Sequence, residues 1–420
     1  MDVNDMILVS IDDHVIEPRD MFDRHVPAKY QSEAPKSIMD ENGYEKWWFQ
    51  GVPSVSSSLN AVVGWPNEEW GMNPSTFAEM RPGSYDIHER VRDMNRNGIL
   101  ASMCFPSFAG FSARFFQEAQ DKDLALIMLK AYNDWHVDEW AAAYPGRFIP
   151  IALGPVWDPE ELAREVRRVA AKGVKAITMP ELPHLQGLPS YHDQDYWAPF
   201  FRAASAEQVV MCLHIGQGFA AIRNAPDAPI DNMIILATQV STFAAQDLLW
   251  SGTMTRYPDL KIAWSEAGIG WIPFYLDRCD RHYTNQRWLG HDFGGKLPSD
   301  IFREHSLACY VTDPTALKVR HDIGLDIIAW ECDYPHSDSI WPNAPEFVLG
   351  EMNGAGVPDP EINQITWQNT CRFFGLDPFR HIAREDATVG ALRALSPDVD
   401  TTIRSKHEWR RLYELSHSSS

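Results

Sequence analysis

Side chains that can bind a metal ion interrupt an apolar stretch close to the start of the chain. Residues 7–18 read ILVSIDDHVIEP, so a predicted β-strand ends in carboxylates and an imidazole. Asp12 and His14 are two residues apart, and on an extended backbone their side chains therefore point to the same side. A carboxylate and an imidazole at one strand end form half of a metal site. The other half must come from elsewhere in the chain.

Three further predicted strands end in residues that can bind metal or transfer protons. His214 lies in MCLHIG (211–216), Glu266 in AWSEAG (263–268), and Asp333 and His336 in WECDYPH (330–336). Each residue alone also has a structural explanation, as a buried histidine, a helix cap or a turn residue. In α/β barrels the reactive groups gather at the C-terminal ends of the strands, so we expect these four clusters to converge.

The set is large enough for one metal ion or for two. Four side chains suffice for one divalent ion with an open position: Asp12, His14, His214 and Asp333. Three others could either orient a ligand through a hydrogen bond or bind a second ion: Glu17, Glu266 and His336. Asp13 is expected to point away, because neighbours on a strand alternate. Mixed histidine and carboxylate ligands suit zinc, manganese or iron, and the sequence does not choose between them.

Strand-like and helix-like segments alternate along most of the chain. Eight strands are predicted, near 7–12, 99–105, 148–153, 175–179, 209–214, 261–266, 309–311 and 326–330. Amphipathic helices are predicted between them, over 121–144, 159–172, 196–207 and 271–286. This pattern favours an α/β fold, a (β/α)8 TIM barrel. A doubly wound sheet is the second choice, but no GxGxxG turn follows the first strand.

Two segments extend the predicted barrel. Residues 19–81, rich in Pro, Gly, Ser and Trp, form a long insertion after strand 1 that we expect to act as a lid or a dimer contact. A second excursion, 216–231, follows the fifth strand. We predict a single barrel domain over 1–395 and a peripheral helical extension at the C-terminus, 396–420.

Composition excludes several classes of partner. The 420 residues carry a formal net charge of −21, which repels nucleic acid and anionic membrane surfaces. No apolar stretch is long enough to span a bilayer and no leader is visible, so a cytoplasmic protein is expected. The six cysteines are scattered without a CxxC pair, which favours buried reduced thiols over disulfides or a thiolate metal site.

Several of these segments together resemble the amidohydrolase superfamily, in the branch that includes aminocarboxymuconate-semialdehyde decarboxylase and γ-resorcylate decarboxylase. The resemblance covers about residues 7–376 and rests on four segments: DDHVIEP (12–18), LHIG (213–216), EAGIGW (266–271) and WECDYPH (330–336). Residues 369–376 are similar to the family's closing helix. The resemblance implies a TIM barrel and a metal held by Asp12, His14, His214 and Asp333.

The chain departs from the family pattern at two positions. Asp12 stands where the family's first histidine is expected, and Glu266 stands where the sixth-strand histidine, the usual proton shuttle, is expected. A smaller group of the same fold resembles this carboxylate-rich pattern and uses two non-haem metals to activate dioxygen. The number of metal ions therefore separates two kinds of chemistry.

Three hypotheses for function follow. The first is a metal-dependent hydrolase or non-oxidative decarboxylase of a small carboxylate or carbonyl compound, with Asp333 as ligand and general base and Glu266 as proton relay or second base. The second is a dinuclear non-haem iron (or Fe/Mn) monooxygenase. The third is a scaffolding partner subunit without activity of its own. A homodimer, or an assembly with a paralogous subunit, is expected.

Other side chains could contact the substrate of such an enzyme. Arg81 or Arg114 could clamp a substrate carboxylate, although an ion pair is the more ordinary role for either. Four aromatic residues could line the pocket or belong to the core: Phe105, Phe108, Phe111 and Trp271.

Overall fold

Parallel strands that alternate with helices dominate the fold. A computed structural model describes residues 1–71, 73–216 and 225–417 of the protein. The strands are β1 (Leu8–Val15), β2 (Lys36–Met39), β3 (Glu45–Phe49), β4 (Val52–Pro53), β5 (Ile99–Pro106), β6 (Ile151–Leu153), β7 (Ala176–Met179), β8 (Val210–His214), β9 (Ile262–Ser265), β10 (Ser306–Tyr310) and β11 (Ile328–Trp330). All eight strands predicted from the sequence are present, with ends shifted by up to three residues.

Seventeen α-helices are found in the described residues. They are α1 (Ile87–Arg96), α2 (Arg114–Gln117), α3 (Lys122–Trp135), α4 (Pro159–Ala170), α5 (Gln194–Glu207), α6 (Ile230–Leu236), α7 (Gln239–Trp250), α8 (Thr253–Arg256), α9 (Trp271–Asn285), α10 (Pro298–His305), α11 (Pro314–Lys318), α12 (Arg320–Ile323), α13 (Ala344–Gly354), α14 (Asp359–Asn363), α15 (Asn369–Phe374), α16 (Val389–Leu395) and α17 (Lys406–His417). π-Helical turns extend α3 over His136–Ala141 and join α14 to α15 over Gln364–Gln368.

Aspartates placed before the helices explain where several of them begin. Asp86 accepts hydrogen bonds from the amides of His88 and Glu89 in α1, and Asp121 accepts one from the amide of Leu124 in α3. Asp158 caps α4, whose first residue is Pro159. A carboxylate at this position satisfies amides that have no partner inside the helix, and proline is tolerated there because its missing N–H is not needed. These local signals fix the starts of α1, α3 and α4, of which the amphipathic pattern predicts the last two.

The chain divides into two units. The first contains residues 1–150, 332–348 and 377–420, and the second contains residues 151–331 and 349–376. In the first unit β1 pairs with β5 in parallel, and β2, β3 and β4 form an antiparallel sheet. In the second unit six parallel strands run in the order β11-β10-β9-β8-β7-β6. The single domain expected over 1–395 stays a prediction.

Strand β1 corrects one detail of the sequence analysis. The strand does not end before the polar cluster but continues through Val15, and all eight of its residues are buried. The register with β5 slips between Ser10 and Asp13, which adds one residue to β1. Such bulges redirect side chains and are common beside active sites. Asp12 and His14 are therefore presented from a buried, irregular strand.

The insertion and the C-terminal extension pack together within the first unit. Residues 19–81 contain the sheet β2-β3-β4, and Trp65 of this insertion packs with Val62 and with Trp409 of α17. Arg19 of the insertion also donates to the hydroxyl of Tyr413 at 3.2 Å. The helical tail expected from Ser396 onward therefore includes a helix that is anchored on the insertion. Part of the predicted excursion, 217–224, lies outside the described residues.

The cysteines behave as the sequence analysis predicts. Within the described part of the chain no disulfide joins any of the six, and five of them are buried. Small apolar side chains of this kind suit the core of a protein with reduced thiols. None of the helices in the described ranges is both long and apolar enough to cross a bilayer.

Candidate metal centre

Four of the predicted metal-binding side chains lie together in the first unit. Nε2 of His14 is 3.5 Å from Oδ1 of Asp12 and 3.2 Å from Oδ1 of Asp333. Nδ1 of His336 is 2.9 Å from the same Asp333 oxygen, and the two imidazole rings stack with their centroids 3.7 Å apart. His14, Asp333 and His336 each offer a ligand atom within 4.8 Å of the others.

Backbone hydrogen bonds hold β1 against the segment that follows β11. The amide of Asp333 donates to the carbonyl of Asp12 at 2.8 Å, and the amide of His14 donates to the carbonyl of Tyr334 at 2.7 Å. The amide of Cys332 donates to Oγ of Ser10 at 2.8 Å. These bonds join residues more than 300 positions apart in the sequence. The spacing between the two pairs of side chains is therefore built into the backbone.

Asp333 also adopts an unusual backbone conformation. Its φ of 56° lies in the left-handed region, which few residues other than glycine occupy and which aspartate tolerates better than most. Backbone strain of this kind concentrates at functional sites because the surrounding structure must hold it in place. Here the conformation belongs to the residue that contacts both imidazoles.

The donor set and its burial fit a divalent metal ion. Asp12, His14 and Asp333 are completely buried, and His336 is nearly so. Two buried carboxylates cost desolvation free energy unless positive charge compensates them. Carboxylate oxygens and imidazole nitrogens are also the ligands that zinc, manganese and iron accept. The residues present therefore fit a bound divalent ion.

Asp13, between Asp12 and His14 on β1, has hydrogen-bond partners outside the cluster. Its carboxylate accepts hydrogen bonds from Oγ of Ser10 at 3.0 Å, from Ser102 and from the amide of Tyr334 at 3.0 Å. Burial raises the pKa of Asp13, while the charge of the neighbouring Arg90 and these bonds act in the opposite direction. Asp13 thus ties β1 to β5 and to the segment after β11.

Arg90 of α1 supports the same region and was not anticipated from the sequence. The side chain is fully buried, and it donates to the carbonyl of Gly83 at 2.6 Å and to the carbonyl of His14. Its guanidinium also lies 4.4 Å from the ring centre of Tyr334. The sequence offers no signal for this role, because Arg90 is one of three arginines in α1 and arginine on a helix is normally exposed to solvent.

Glu17 has a different environment from the four clustered side chains. It is completely buried, and its carboxylate accepts hydrogen bonds from the amide of Ser107 at 2.9 Å, the amide of Phe108 at 3.1 Å and the hydroxyl of Tyr132 at 2.9 Å. Burial raises the pKa of Glu17 to about 7, although these bonds act to lower it. The groups with metal-binding spacing in the described residues do not include it.

His214 and Glu266, the other two predicted residues, lie together in the second unit. His214 ends β8 and Glu266 follows β9, and Nε2 of His214 is 3.5 Å from Oε2 of Glu266. The Nδ1 atom of His214 is 2.6 Å from the carbonyl of Ile215, which fixes the orientation of the ring. Glu266 has a left-handed φ of 54°, like Asp333. Their role as metal ligands stays a prediction.

Glu331 and Cys309 extend this second group. Glu331 is buried, and Oε2 accepts hydrogen bonds from the amide of Glu266 at 3.2 Å and from the thiol of Cys309. Neither residue was predicted from the sequence, although Glu331 stands inside the segment 330–336. An acidic residue directly after a predicted apolar strand was the signal that could have found it.

The two arginines considered as substrate clamps form ion pairs instead. Arg81 is buried and pairs with both carboxylate oxygens of Asp93, at 2.6 and 2.7 Å. Arg114 pairs with Glu118 at 2.7 Å on the surface, beside a cavity of about 310 Å³. Of the four aromatic residues, Phe111 and Phe105 lie near the cluster, with ring centres 5.3 and 6.1 Å from that of His14. Phe108 packs on Trp47, and Trp271 packs on Trp264 and Phe302.

Comparison with known proteins assigns the fold and the family. The sequence model of the amidohydrolase family matches residues 25–376, most of the chain. The protein belongs to this family. Among curated proteins, it is 24% identical over 329 residues to the γ-resorcylate decarboxylase of Polaromonas sp. (strain JS666 / ATCC BAA-500). That match covers 74% of this chain and 92% of the relative.

Solved structures agree with this assignment. An amidohydrolase from Mycobacterium avium subsp. paratuberculosis K-10 superposes with a TM-score of 0.70 at 18% identity, over 88% of this chain and 99% of the other. A dihydroxybenzoic acid decarboxylase from Polaromonas sp. JS666, solved with bound manganese and an inhibitor, gives a TM-score of 0.57 at 20% identity, over 88% and 97%. The predicted fold class, the α/β fold of the family's TIM barrel, is confirmed.

Proposed function

We propose that the protein is a metal-dependent, non-oxidative decarboxylase of a small aromatic carboxylate. The observation that carries this proposal is the buried cluster of Asp12, His14, Asp333 and His336, in a chain that is similar to γ-resorcylate decarboxylase along most of its length. Hydrolysis of a carbonyl compound uses the same donor set, but the named relatives favour decarboxylation. They do not favour the alternative of a dinuclear oxygenase.

Decarboxylation needs an anchored carboxylate and a proton delivered to carbon. The bond between the ring and the carboxyl carbon breaks, its electron pair stays on the ring carbon, and that carbon takes up a proton as carbon dioxide leaves. A bound divalent ion would supply positive charge that orients and polarises the substrate's oxygen atoms. We assign it to Asp12, His14 and Asp333, with His214 as the remaining ligand expected from the family pattern.

The proton chemistry falls to the carboxylates and to His336. Nδ1 of His336 is 2.9 Å from Oδ1 of Asp333, so the imidazole can pass a proton to this carboxylate. Asp333 would then act as the acid or base next to the substrate. Glu266 replaces the histidine expected on the sixth strand and is 22% exposed, which gives it access to solvent protons. We propose that it serves as a proton relay.

Aromatic side chains around His14 would recognise a flat substrate. Phe111 and Phe105 lie 5.3 and 6.1 Å from the imidazole, measured between ring centres. Aromatic rings at such distances offer edge-to-face contacts to another ring. A cytoplasmic location and a homodimer, or an assembly with a paralogous subunit, remain expectations that belong to this proposal.

Carbon dioxide release tests the proposal directly. The purified protein, loaded with Mn²⁺ or Zn²⁺, would be incubated with 2,6-dihydroxybenzoate and with 5-carboxyvanillate while carbon dioxide and dioxygen are followed. We expect carbon dioxide release without dioxygen consumption, and its loss in Asp333→Asn. Asp338→Asn, at an exposed aspartate five residues further on, is the matched control and should keep the activity. Dioxygen consumption that requires substrate would overturn the proposal in favour of an oxygenase.

A further inference from the structure

Glu17 is a buried carboxylate whose role the site described above leaves open. We propose that Glu17 is a positioning residue that holds the loop 107–113 so that Phe111 covers one face of His14. The inference rests on the proposed metal centre, but it concerns access to that centre rather than the reaction. It assigns to Glu17 neither of the two roles considered from the sequence, metal ligand or partner of a ligand.

Three hydrogen bonds hold the carboxylate of Glu17. Oε1 of Glu17 accepts from the amide of Ser107 and from the hydroxyl of Tyr132, and Oε2 accepts from the amide of Phe108. Two successive backbone amides thus meet the two oxygens of one carboxylate, while Tyr132 of α3 approaches from a separate helix. The three distances, 2.9, 3.1 and 2.9 Å, are those of well-formed hydrogen bonds. Glu17 therefore fixes the point where the chain leaves β5.

The loop carries this restraint from Glu17 to Phe111. Oγ of Ser107 donates to the carbonyl of Val15 at 2.8 Å, which ties the loop to the end of β1. The amide of Gly110 donates to the carbonyl of Ser107 at 3.1 Å, and the amide of Ala113 donates to the carbonyl of Gly110 at 3.0 Å. Phe111 lies inside this chain of turns. Its backbone is therefore fixed from both sides.

Two aromatic contacts show what the loop positions. Phe108 stacks on Trp47 of the insertion with ring centres 4.6 Å apart, whereas the ring of Phe111 packs against that of His14 at 5.3 Å, tilted by 51°. The ring centre of Phe105, at the end of β5, lies 6.4 Å from that of Phe111, so Phe105 packs against Phe111 from the strand. The loop thus connects the insertion on one side with the histidine of the metal cluster on the other.

A glutamine at position 17 would keep the volume and break the clamp. Its amide group presents N–H donors where Glu17 presents an oxygen, and those donors would face the N–H of Phe108 or the donors on Oε1. One end of the loop would then lose its acceptor, and a buried amide left without a partner is unfavourable. The ring of Phe111 would no longer be held against His14.

The rate of metal loss to a chelator measures this effect without any substrate. Each variant would be loaded with Mn²⁺, freed of excess ion and mixed with EDTA, and the released ion would be followed over time. We expect Glu17→Gln and Phe111→Ala to release the ion faster than the unmodified protein, on the order of tenfold, as for other residues that support a metal ligand. Glu41→Gln, at an exposed glutamate, is the matched control and should not change the rate.

The double variant separates positioning from other roles. If Glu17 acts through Phe111, the double variant should release Mn²⁺ no faster than Phe111→Ala alone. If the increases in release rate of the two single variants multiply in the double variant, the two residues act independently. If Glu17→Gln binds less Mn²⁺ at saturation, Glu17 is itself a metal ligand. Either result overturns the proposal. If Glu17→Gln does not fold, the test passes to Tyr132→Phe, where a release rate equal to that of the unmodified protein overturns it. A failure to decarboxylate leaves these results untouched.

Discussion

The pH dependence of folding should reveal the buried carboxylate of Glu17. Burial raises its pKa from 4.5 to about 7 in the folded protein. A raised carboxyl pKa means that the folded state holds its proton more tightly than the unfolded chain does. The stabilisation is therefore complete below about pH 4.5 and is lost as the pH rises towards 7. Glu17→Gln has no such proton and should lack this component.

The raised pKa of Glu17 sets the size of the expected change in unfolding free energy. A difference of about 2.5 pKa units, at about 1.4 kcal/mol per unit, amounts to roughly 3 kcal/mol. No reduction for solvent screening is needed, because the side chain is completely buried. The unfolding free energy of the unmodified protein should therefore fall relative to that of Glu17→Gln by roughly 3 kcal/mol between about pH 4.5 and 7.

Urea unfolding at a series of pH values measures this difference. Subtracting the free energies of the two proteins removes the titration of groups that they share, including the metal cluster, and both would be kept metal-free with a chelator. A difference that stays constant from pH 5 to pH 8 would refute the reasoning, since it would show that Glu17 titrates alike in the folded and unfolded chains. A difference that grows in favour of the unmodified protein at high pH would reverse the sign and refute it equally.

Three further predictions concern other parts of the molecule. Arg81→Met should lower the unfolding free energy by about 3–5 kcal/mol, because it leaves the carboxylate of Asp93 buried without its ion-pair partner. Urea unfolding measures this change. The control Arg114→Met, which breaks a surface pair, should cost less than about 1 kcal/mol. Trp409→Ala should cost about 3–5 kcal/mol in the same assay, since α17 loses its contact with Val62 and Trp65, and an unchanged unfolding midpoint would show that the helix is not anchored. Glu266→Gln should lower carbon dioxide release by about 100-fold and leave the bound metal unchanged; full activity would exclude a proton relay at this position.

The strands and the types of residue in the site could be predicted from the sequence, whereas the contacts of individual site residues could not. Apolar runs bounded by helix caps are local signals, so each of the eight strands was predicted to within three residues. The four polar clusters were recognised because His14, His214, Glu266 and Asp333 follow or interrupt apolar runs. The strand positions and the polar clusters could be predicted because both depend on residues that are neighbours in the sequence.

The roles that the sequence could not predict depend on contacts between distant residues. Glu17 lies just after β1, a position typical of a metal ligand, but its hydrogen-bond partners come from the loop after β5 and from α3. Arg90 supports the carbonyl of His14 from a helix 76 residues further on. The bulge in β1 arises from its register with β5, and no local pattern announces it. Tertiary pairing decides all three.

The metal content of the purified protein shows whether the cluster around His14 binds a divalent ion. Inductively coupled plasma mass spectrometry would compare the unmodified protein with Asp333→Asn and with the control Asp338→Asn after equal loading. We expect bound divalent metal in the unmodified protein and in the control, and a clear loss of metal in Asp333→Asn. Full metal content in Asp333→Asn, together with full activity, would contradict the assignment of this site.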